Sequence, residues 1–308
     1  MSSRPLVHAP LADALSLFEG LRPRQWIKNL IVLAPAFFHF KLRPETIWPS
    51  VAFTGLFCLI SSAFYLLNDV ADRDADRLHP RKRFRPVAAG RVSVAQAVSF
   101  AAFLVGASLI AAWQISYPAA LMLVIYCLLQ GMYNLWAKHV VLLDLLFIAA
   151  GFVIRAGSGA AASQIPLSPW FLLCVGLLAV FLGLEKRKGE ITHAAAALPA
   201  GATRSVLQDY SRRLLERMEQ VVVSGGVVTY ALWSAGPQLK GAPTPAMMLT
   251  LPAVLYGVFR YQWLSEHEHD TERPEELVLK DKPLRWTALT WVVTAALVLA
   301  GHAAGLVD

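Results

Sequence analysis

Nine apolar runs, each close to the length of a bilayer-crossing helix, dominate this chain. They cover about 26–43, 48–68, 92–113, 118–137, 140–160, 168–185, 218–237, 244–263 and 285–304. A helix needs roughly 20 mostly apolar residues to cross the hydrocarbon core. Only 16% of the 308 residues are charged, against roughly 25% in an average globular chain. A soluble fold could not cover its surface with so few charges. Intrinsic disorder is excluded on the same ground. Too little polar surface remains for a DNA-binding domain, so nucleic acid is not an expected partner. The expectation is an all-α polytopic membrane protein, one domain over 1–308. The first twenty residues hold no long apolar core, so no cleaved signal peptide is expected. The first run is the least regular, because it opens with Arg24, Gln25, Lys28 and Asn29 and contains Pro35.

The charges sort the loops. Connections 114–117 and 161–167 carry no Lys or Arg, whereas 69–91, 186–217 and 260–285 are long and basic. Of 28 Lys and Arg, 24 fall on the side of the N-terminus and the long loops, 3 on the other side, and Arg155 within a span. The positive-inside rule places the N-terminus and the long loops in the cytoplasm. Nine spans then put the C-terminus outside. Within the loops, 204–218 and 274–281 read as cytoplasmic helices. Cys58, Cys127 and Cys174 each lie in an apolar run and imply no disulfide framework.

The richest stretch closes the second run. Asn68, Asp72 and Asp76 follow at i, i+4 and i+8, with Asp69 beside them. If the helix continues, the three share one face over about 12 Å. Hard oxygen ligands of this kind suit Mg²⁺, which keeps open positions for substrate phosphates. Five basic residues lie within 79–85, immediately downstream. A carboxylate face beside a basic run can hold a metal–diphosphate. The alternative is a solvated loop of Asp–Arg neighbours.

Asn68-Asp69-x-x-Asp72-x-x-x-Asp76 resembles the first signature of the UbiA superfamily of intramembrane prenyltransferases. That resemblance implies nine helices around a central cavity open near the cytoplasmic side, Mg²⁺ and diphosphate at this signature, and the inner membrane of a bacterial-type cell. A finer likeness, to decaprenyl-phosphate phosphoribosyltransferases, runs along nearly the whole chain. It is carried by Arg22-Pro-Arg24-Gln25-Trp26-Ile-Lys28-Asn29 and His79-Pro-Arg81-Lys82-Arg83-Phe-Arg85-Pro-Val-Ala-Ala-Gly90. It continues in Ile154-Arg155-Ala-x-x-Gly159, Ile165-Pro-Leu-Ser168-x-Trp170, Lys186-Arg187-x-x-Glu190 and Pro274-Glu-Glu-Leu-x-Leu-Lys-Asp281. The likeness implies transfer of phosphoribose from phosphoribosyl pyrophosphate (PRPP) to a polyprenyl phosphate.

Asp144 and Arg155 lie in one span, eleven residues apart and so facing one way, with Arg155 about 16 Å deeper. Each needs a partner, which a phosphate, a metal or another helix would supply. The second signature usual in the superfamily has two Asp four residues apart, but here Asp144 stands alone. Asp69, Asp72, Asp76 and Asp144 are the expected catalytic acids, and Asn68 with the first three the expected metal ligands. Arg73, Arg77, Lys82, Arg85, Lys186 and Arg187 are expected on the phosphates. Lys28, Asn29, Arg155 and Glu190 complete the expected binding set. Tyr133 and Lys138 are placed for a phosphate or the ribose. Lys28, Lys138, Lys186 and Arg187 have the alternative reading of headgroup anchors. Two other readings share the charged face: a prenyltransferase joining a prenyl diphosphate to an aromatic acceptor, and a non-enzymatic anion carrier. Lipid chain length and oligomeric state are left open.

Overall fold

The computed structural model describes residues 9–40, 43–80, 82–197, 209–267, 277 and 280–306. All regular structure among them is helical. Helix α1 is Ala9–Gly20, and a 3-10 helix, Pro23–Leu33, leads into α2, Ala34–His39. Then come α3 Pro44–Ala71, α4 Arg73–Leu78, α5 Val94–Ile115, α6 Tyr117–Leu135 and α7 Leu143–Ala162. The chain closes with α8 Pro169–Ala197, α9 Arg212–Ser234, α10 Leu251–His267 and α11 Lys282–Ala303.

Six of these helices are long and apolar enough to cross a membrane: α3, α5, α6, α7, α11 and, over Pro169–Thr192, α8. The other three runs are built differently. The run at 26–43 is a 3-10 helix followed by a six-residue α-helix. Asn29 and Val32 are buried at i, i+3, the repeat of a 3-10 helix. The run at 218–237 lies in α9, which starts earlier and carries Arg212, Arg213, Glu216, Arg217 and Glu219. The run at 244–263 is a 3-10 helix, Pro245–Thr250, joined to α10.

Local chemistry sets the helix ends. Ser93 and Gln96 form a reciprocal capping box on α5. Ser116, in extended conformation, ends α5 and starts α6, and the two helices turn back on each other there. Ser211 caps α9 by accepting from the amide of Leu214, so the expected helix over 204–218 is, from Arg212, the start of α9 itself; 204–208 lie outside the described residues. Most of the expected helix at 274–281 also lies outside them. Asp281 caps α11 and pairs with Arg260 at 2.8 Å. That hydrogen-bonded guanidinium holds the Asp281 carboxyl below its ordinary range.

Chain neighbours pack in sequence: α3 with α5, α5 with α6, α6 with α7, α7 with α8, α8 with α9 and α10 with α11. The 3-10 helix at 23–33 lies against both α3 and α7. Phe53, Phe57, Ile60, Leu123 and Tyr126 make one core with Val32. Phe171, Val175, Tyr230, Trp233, Met247 and Leu299 make another. Phe103, Ile110, Leu128, Phe259 and Leu297 point outward, as lipid-facing side chains do. The three cysteines are half-buried and unpaired with one another.

Gly159 lets the 3-10 helix close on α7. A Cβ there would sit 1.9 Å from the Val32 carbonyl oxygen, against backbone that cannot yield. Gly159→Ala is therefore expected to cost at least the ~1–3 kcal/mol typical of overpacking. Thermal unfolding in detergent, followed by tryptophan fluorescence, would show it as a lowered Tm; an unchanged Tm would mean the segment is not seated there.

Candidate functional site

Helix α3 delivers the acidic signature. It ends at Ala71, Asp72 caps it with φ −92° and ψ 7°, and α4 starts afresh at Arg73. The backbone bonds from Asp72 to Asn68 (2.9 Å) and Asp76 to Asp72 (2.8 Å) nevertheless carry the helical register across the break. Within that register the four side chains take partners as two pairs, Asn68 with Asp72 and Asp69 with Asp76.

In the first pair the Asn68 amide donates to Asp72 at 3.0 Å. Lys138, almost fully buried, reaches Asp72 at 2.9 Å and the Asn68 carbonyl at 3.4 Å. In the second pair Arg85 bridges the two acids, 3.1 Å from Asp69 Oδ1 and 2.6 Å from Asp76 Oδ2. Arg22 also pairs with Asp69 Oδ1. Asp69 and Asp76 are buried. Among the described residues no three His, Cys, Asp or Glu converge on a single metal position as they stand. The donor set still fits Mg²⁺, because it is all hard oxygen.

Asp144, in the first turn of α7, is completely buried. Arg187 of α8 donates to it at 2.8 Å, and Tyr210 OH donates to it at 2.8 Å. Arg187 also pairs with Glu190, and Lys186 lies 3.9 Å from Glu190. Tyr133 is near enough to Arg187 to interact electrostatically. Burial pushes the Tyr210 phenol up to about 12; the Leu142 amide opposes the shift and the bond to Asp144 adds to it. So Tyr210 stays a proton donor at neutral pH.

Arg155 takes a different environment. Its Nε donates to Asn29 Oδ1 at 2.8 Å and its Nη2 to Tyr126 OH at 2.5 Å. The Asn29 amide donates to Ser61 at 3.2 Å. The Arg155 guanidinium also lies over the rings of Tyr126 and Phe152, 4.7 and 5.2 Å from their centroids. This intramembrane cation is held by neutral acceptors and aromatic faces.

Two expected groups are thus assembled, one on Asn68, Asp69, Asp72, Asp76, Arg85 and Lys138, the other on Asp144, Lys186, Arg187, Glu190 and Tyr133. Asn29 and Arg155 form a third. Arg77 instead donates to the Ala88 carbonyl at 3.2 Å and faces outward. Arg73 has its buried Nε without a hydrogen-bond partner among the described residues. Lys28 and Lys82 are half-buried. Sequence reasoning left Arg22, Tyr126 and Tyr210 out of the site. Arg22 lay in a quoted motif, but nothing local to it indicated a partner 47 positions away.

Carboxylates and cations gathered where a long helix of an all-helical membrane protein ends suit a phosphorylated ligand. The chain belongs to the UbiA prenyltransferase family, whose model matches residues 30–275. It is 33% identical over 305 residues to a decaprenyl-phosphate phosphoribosyltransferase of Mycolicibacterium smegmatis, covering 95% of each chain. It is 34% identical over 294 residues to one of Corynebacterium glutamicum, covering 92% of this chain and 85% of that one. A UbiA homolog from Archaeoglobus fulgidus, solved bound to DMAPP and Mg²⁺, superposes with a TM-score of 0.69 at 15% identity, over 92% of this chain and 99% of that chain.

Proposed function

We propose that the protein is a membrane-embedded transferase that moves 5-phosphoribose from PRPP to a polyprenyl phosphate and releases pyrophosphate. The observation that carries this reading is the likeness to relatives of that name along 95% of both chains. The whole chain acts as one domain. Nine crossings, three of them the irregular ones, surround a cavity open to the cytoplasm, with the N-terminus inside and the C-terminus outside. The 24 cations on one side support that orientation.

In the reaction the bond from the anomeric carbon to pyrophosphate breaks, and its electron pair leaves with the pyrophosphate oxygen. A phosphate oxygen of the lipid bonds to the same carbon from the opposite face. Asn68, Asp69, Asp72 and Asp76 would hold Mg²⁺, which when bound supplies charge neutralisation to the leaving group. Arg85, Arg73, Lys82 and Lys138 meet phosphate oxygens. Arg187, aimed by Asp144 and Glu190, meets the other phosphorylated end. Lys28 lies near the mouth, while Asn29 and Arg155 lie deeper, along the lipid. The nucleophile is already an anion, so no general base is required, and catalysis is positioning plus electrostatics. That the lone Asp144 is committed to Arg187 and Tyr210 supports a phosphoribosyl donor over a prenyl diphosphate, which would need a second acid pair.

The test is transfer of label from PRPP to a polyprenyl phosphate by purified protein in detergent with Mg²⁺. Label is expected in the lipid product. Transfer from a prenyl diphosphate to an aromatic acceptor, with none from PRPP, would overturn the reading.

A further inference from the structure

We propose that Arg22 is a movable counter-ion of the diphosphate site. It holds Asp69 in the free protein and turns to a pyrophosphate oxygen when metal and diphosphate bind. The proposal rests on the diphosphate-transfer reading above and adds a residue and a binding order to it.

The first observation is an excess of positive charge at one atom. The guanidinium groups of Arg22 and Arg85 both converge on Oδ1 of Asp69, whose side chain is 1% exposed. Arg85 also has Asp76 at 2.6 Å, so it is anchored independently of Asp69. Among the described residues, Arg22 makes its ion pair with Asp69 alone. Two guanidinium groups on one oxygen repel each other, and a metal at the same carboxylate would repel both. Arg22, with its single anchor, is the one that leaves.

The second observation is that the backbone is held in place while the side chain is partly exposed. Arg22 has φ 52° and ψ 60°, the left-handed region, which is rare for a residue with a Cβ and marks a locally enforced backbone. Pro23, which follows it, disfavours the right-handed helical conformation at position 22. The flanks are pinned by one residue: Ser62 donates to the Leu21 carbonyl at 2.8 Å and accepts from Trp26 Nε1 at 3.0 Å. The guanidinium lies over the Tyr65 ring, 5.0 Å from its centroid. Its side chain is 27% exposed, whereas the carboxylate it holds is buried. A planar cation resting on an aromatic face can slide along it without losing that contact.

The consequence is coupling. Metal alone must evict Arg22 into a site with no anion to receive it. Diphosphate alone must draw Arg22 off Asp69 and leave that carboxylate short of charge. The two together satisfy every group, so each raises the affinity for the other. Metal and diphosphate therefore load as a pair.

The test uses the full chain in detergent, with Mn²⁺ in place of Mg²⁺ and pyrophosphate as the diphosphate, by calorimetry. In Arg22→Gln, Mn²⁺ alone is expected to bind about fivefold tighter, because its competitor is gone. Pyrophosphate in saturating Mn²⁺ is expected to bind about tenfold weaker, because a charge-assisted hydrogen bond is lost. Arg22→Lys should move both values back toward the parent. A structural role would weaken both ligands together and lower Tm, and that result, or no change in either affinity, would overturn the proposal. Pyrophosphate is common to PRPP and prenyl diphosphates, so this outcome does not depend on which donor is used. Displacement of bound pyrophosphate by PRPP checks the donor separately.

Discussion

Exchanging Asp72 for asparagine is expected to lower phosphoribosyl transfer about 10³-fold while leaving Tm within a few degrees of the parent. Asparagine keeps the shape and one carbonyl oxygen, so Lys138, now 2.9 Å from Asp72, retains an acceptor. The Asn68 carbonyl at 3.4 Å gives it a second. Asp72 Oδ1 takes Lys138 and Oδ2 takes the Asn68 amide, so the folded state loses an ion pair and one acceptor, at a cost of about 1–3 kcal/mol. The reaction loses a full negative charge where the metal is to be held. Charge neutralisation of a leaving pyrophosphate is worth several kcal/mol, and ~4 kcal/mol corresponds to about 10³ in rate. Raising Mg²⁺ should recover part of the loss. Label transfer and thermal unfolding measure the two effects separately. Full turnover by Asp72→Asn would remove the metal from this face of α3.

The register of that face was legible because helical hydrogen bonds run from Asn68 to Asp72 and on to Asp76 across the break between α3 and α4. Asn68 and Asp72 at i, i+4 are adjacent in any helix, and the structure keeps them 3.0 Å apart. The second pairing, Asp69 with Asp76, is as regular a spacing but needs Arg85 to reveal it. Arg22, Arg85 and Lys138 arrive from three separate segments, at separations of 47, 16 and 66 residues from the acids they meet. Periodicity says which residues share a face and nothing about which faces meet. The same limit applies to Asp144 and Arg155. Their common direction on α7 was readable, as was their need for partners. That Asp144 takes Arg187 and Tyr210 while Arg155 takes Asn29 and Tyr126 depends on how four elements pack. The 3-10 form of 23–33 left a clearer trace in Pro23, Pro35 and the polar start of the run, which already made that run irregular.

Replacing Arg187 by methionine is expected to destabilise the protein by about 3–5 kcal/mol, the cost of leaving a buried carboxylate unpaired. Asp144 is wholly buried, and its remaining donor, Tyr210, contributes one neutral hydrogen bond where a guanidinium stood. Glu190 loses its pair with Arg187 at the same time, and Lys186 lies 3.9 Å from it. Pairing this change with Asp144→Leu removes the stranded charge and fills the space with apolar atoms. The double variant should therefore recover most of the lost Tm, since buried ion pairs replaced by packed apolar groups are often neutral. A double-mutant cycle over the four proteins reads the coupling directly. Activity decides what the pair is for. Asp144 and Glu190 bind Nε and Nη1 of Arg187, which fixes the plane of the guanidinium and aims its remaining nitrogen. A stable double variant with transfer still down more than about 10²-fold would mean that this aimed cation serves the substrate. Recovery of both stability and transfer would reduce the pair to a brace between α7 and α8, and the phosphate opposite the diphosphate would then need another cation to receive it.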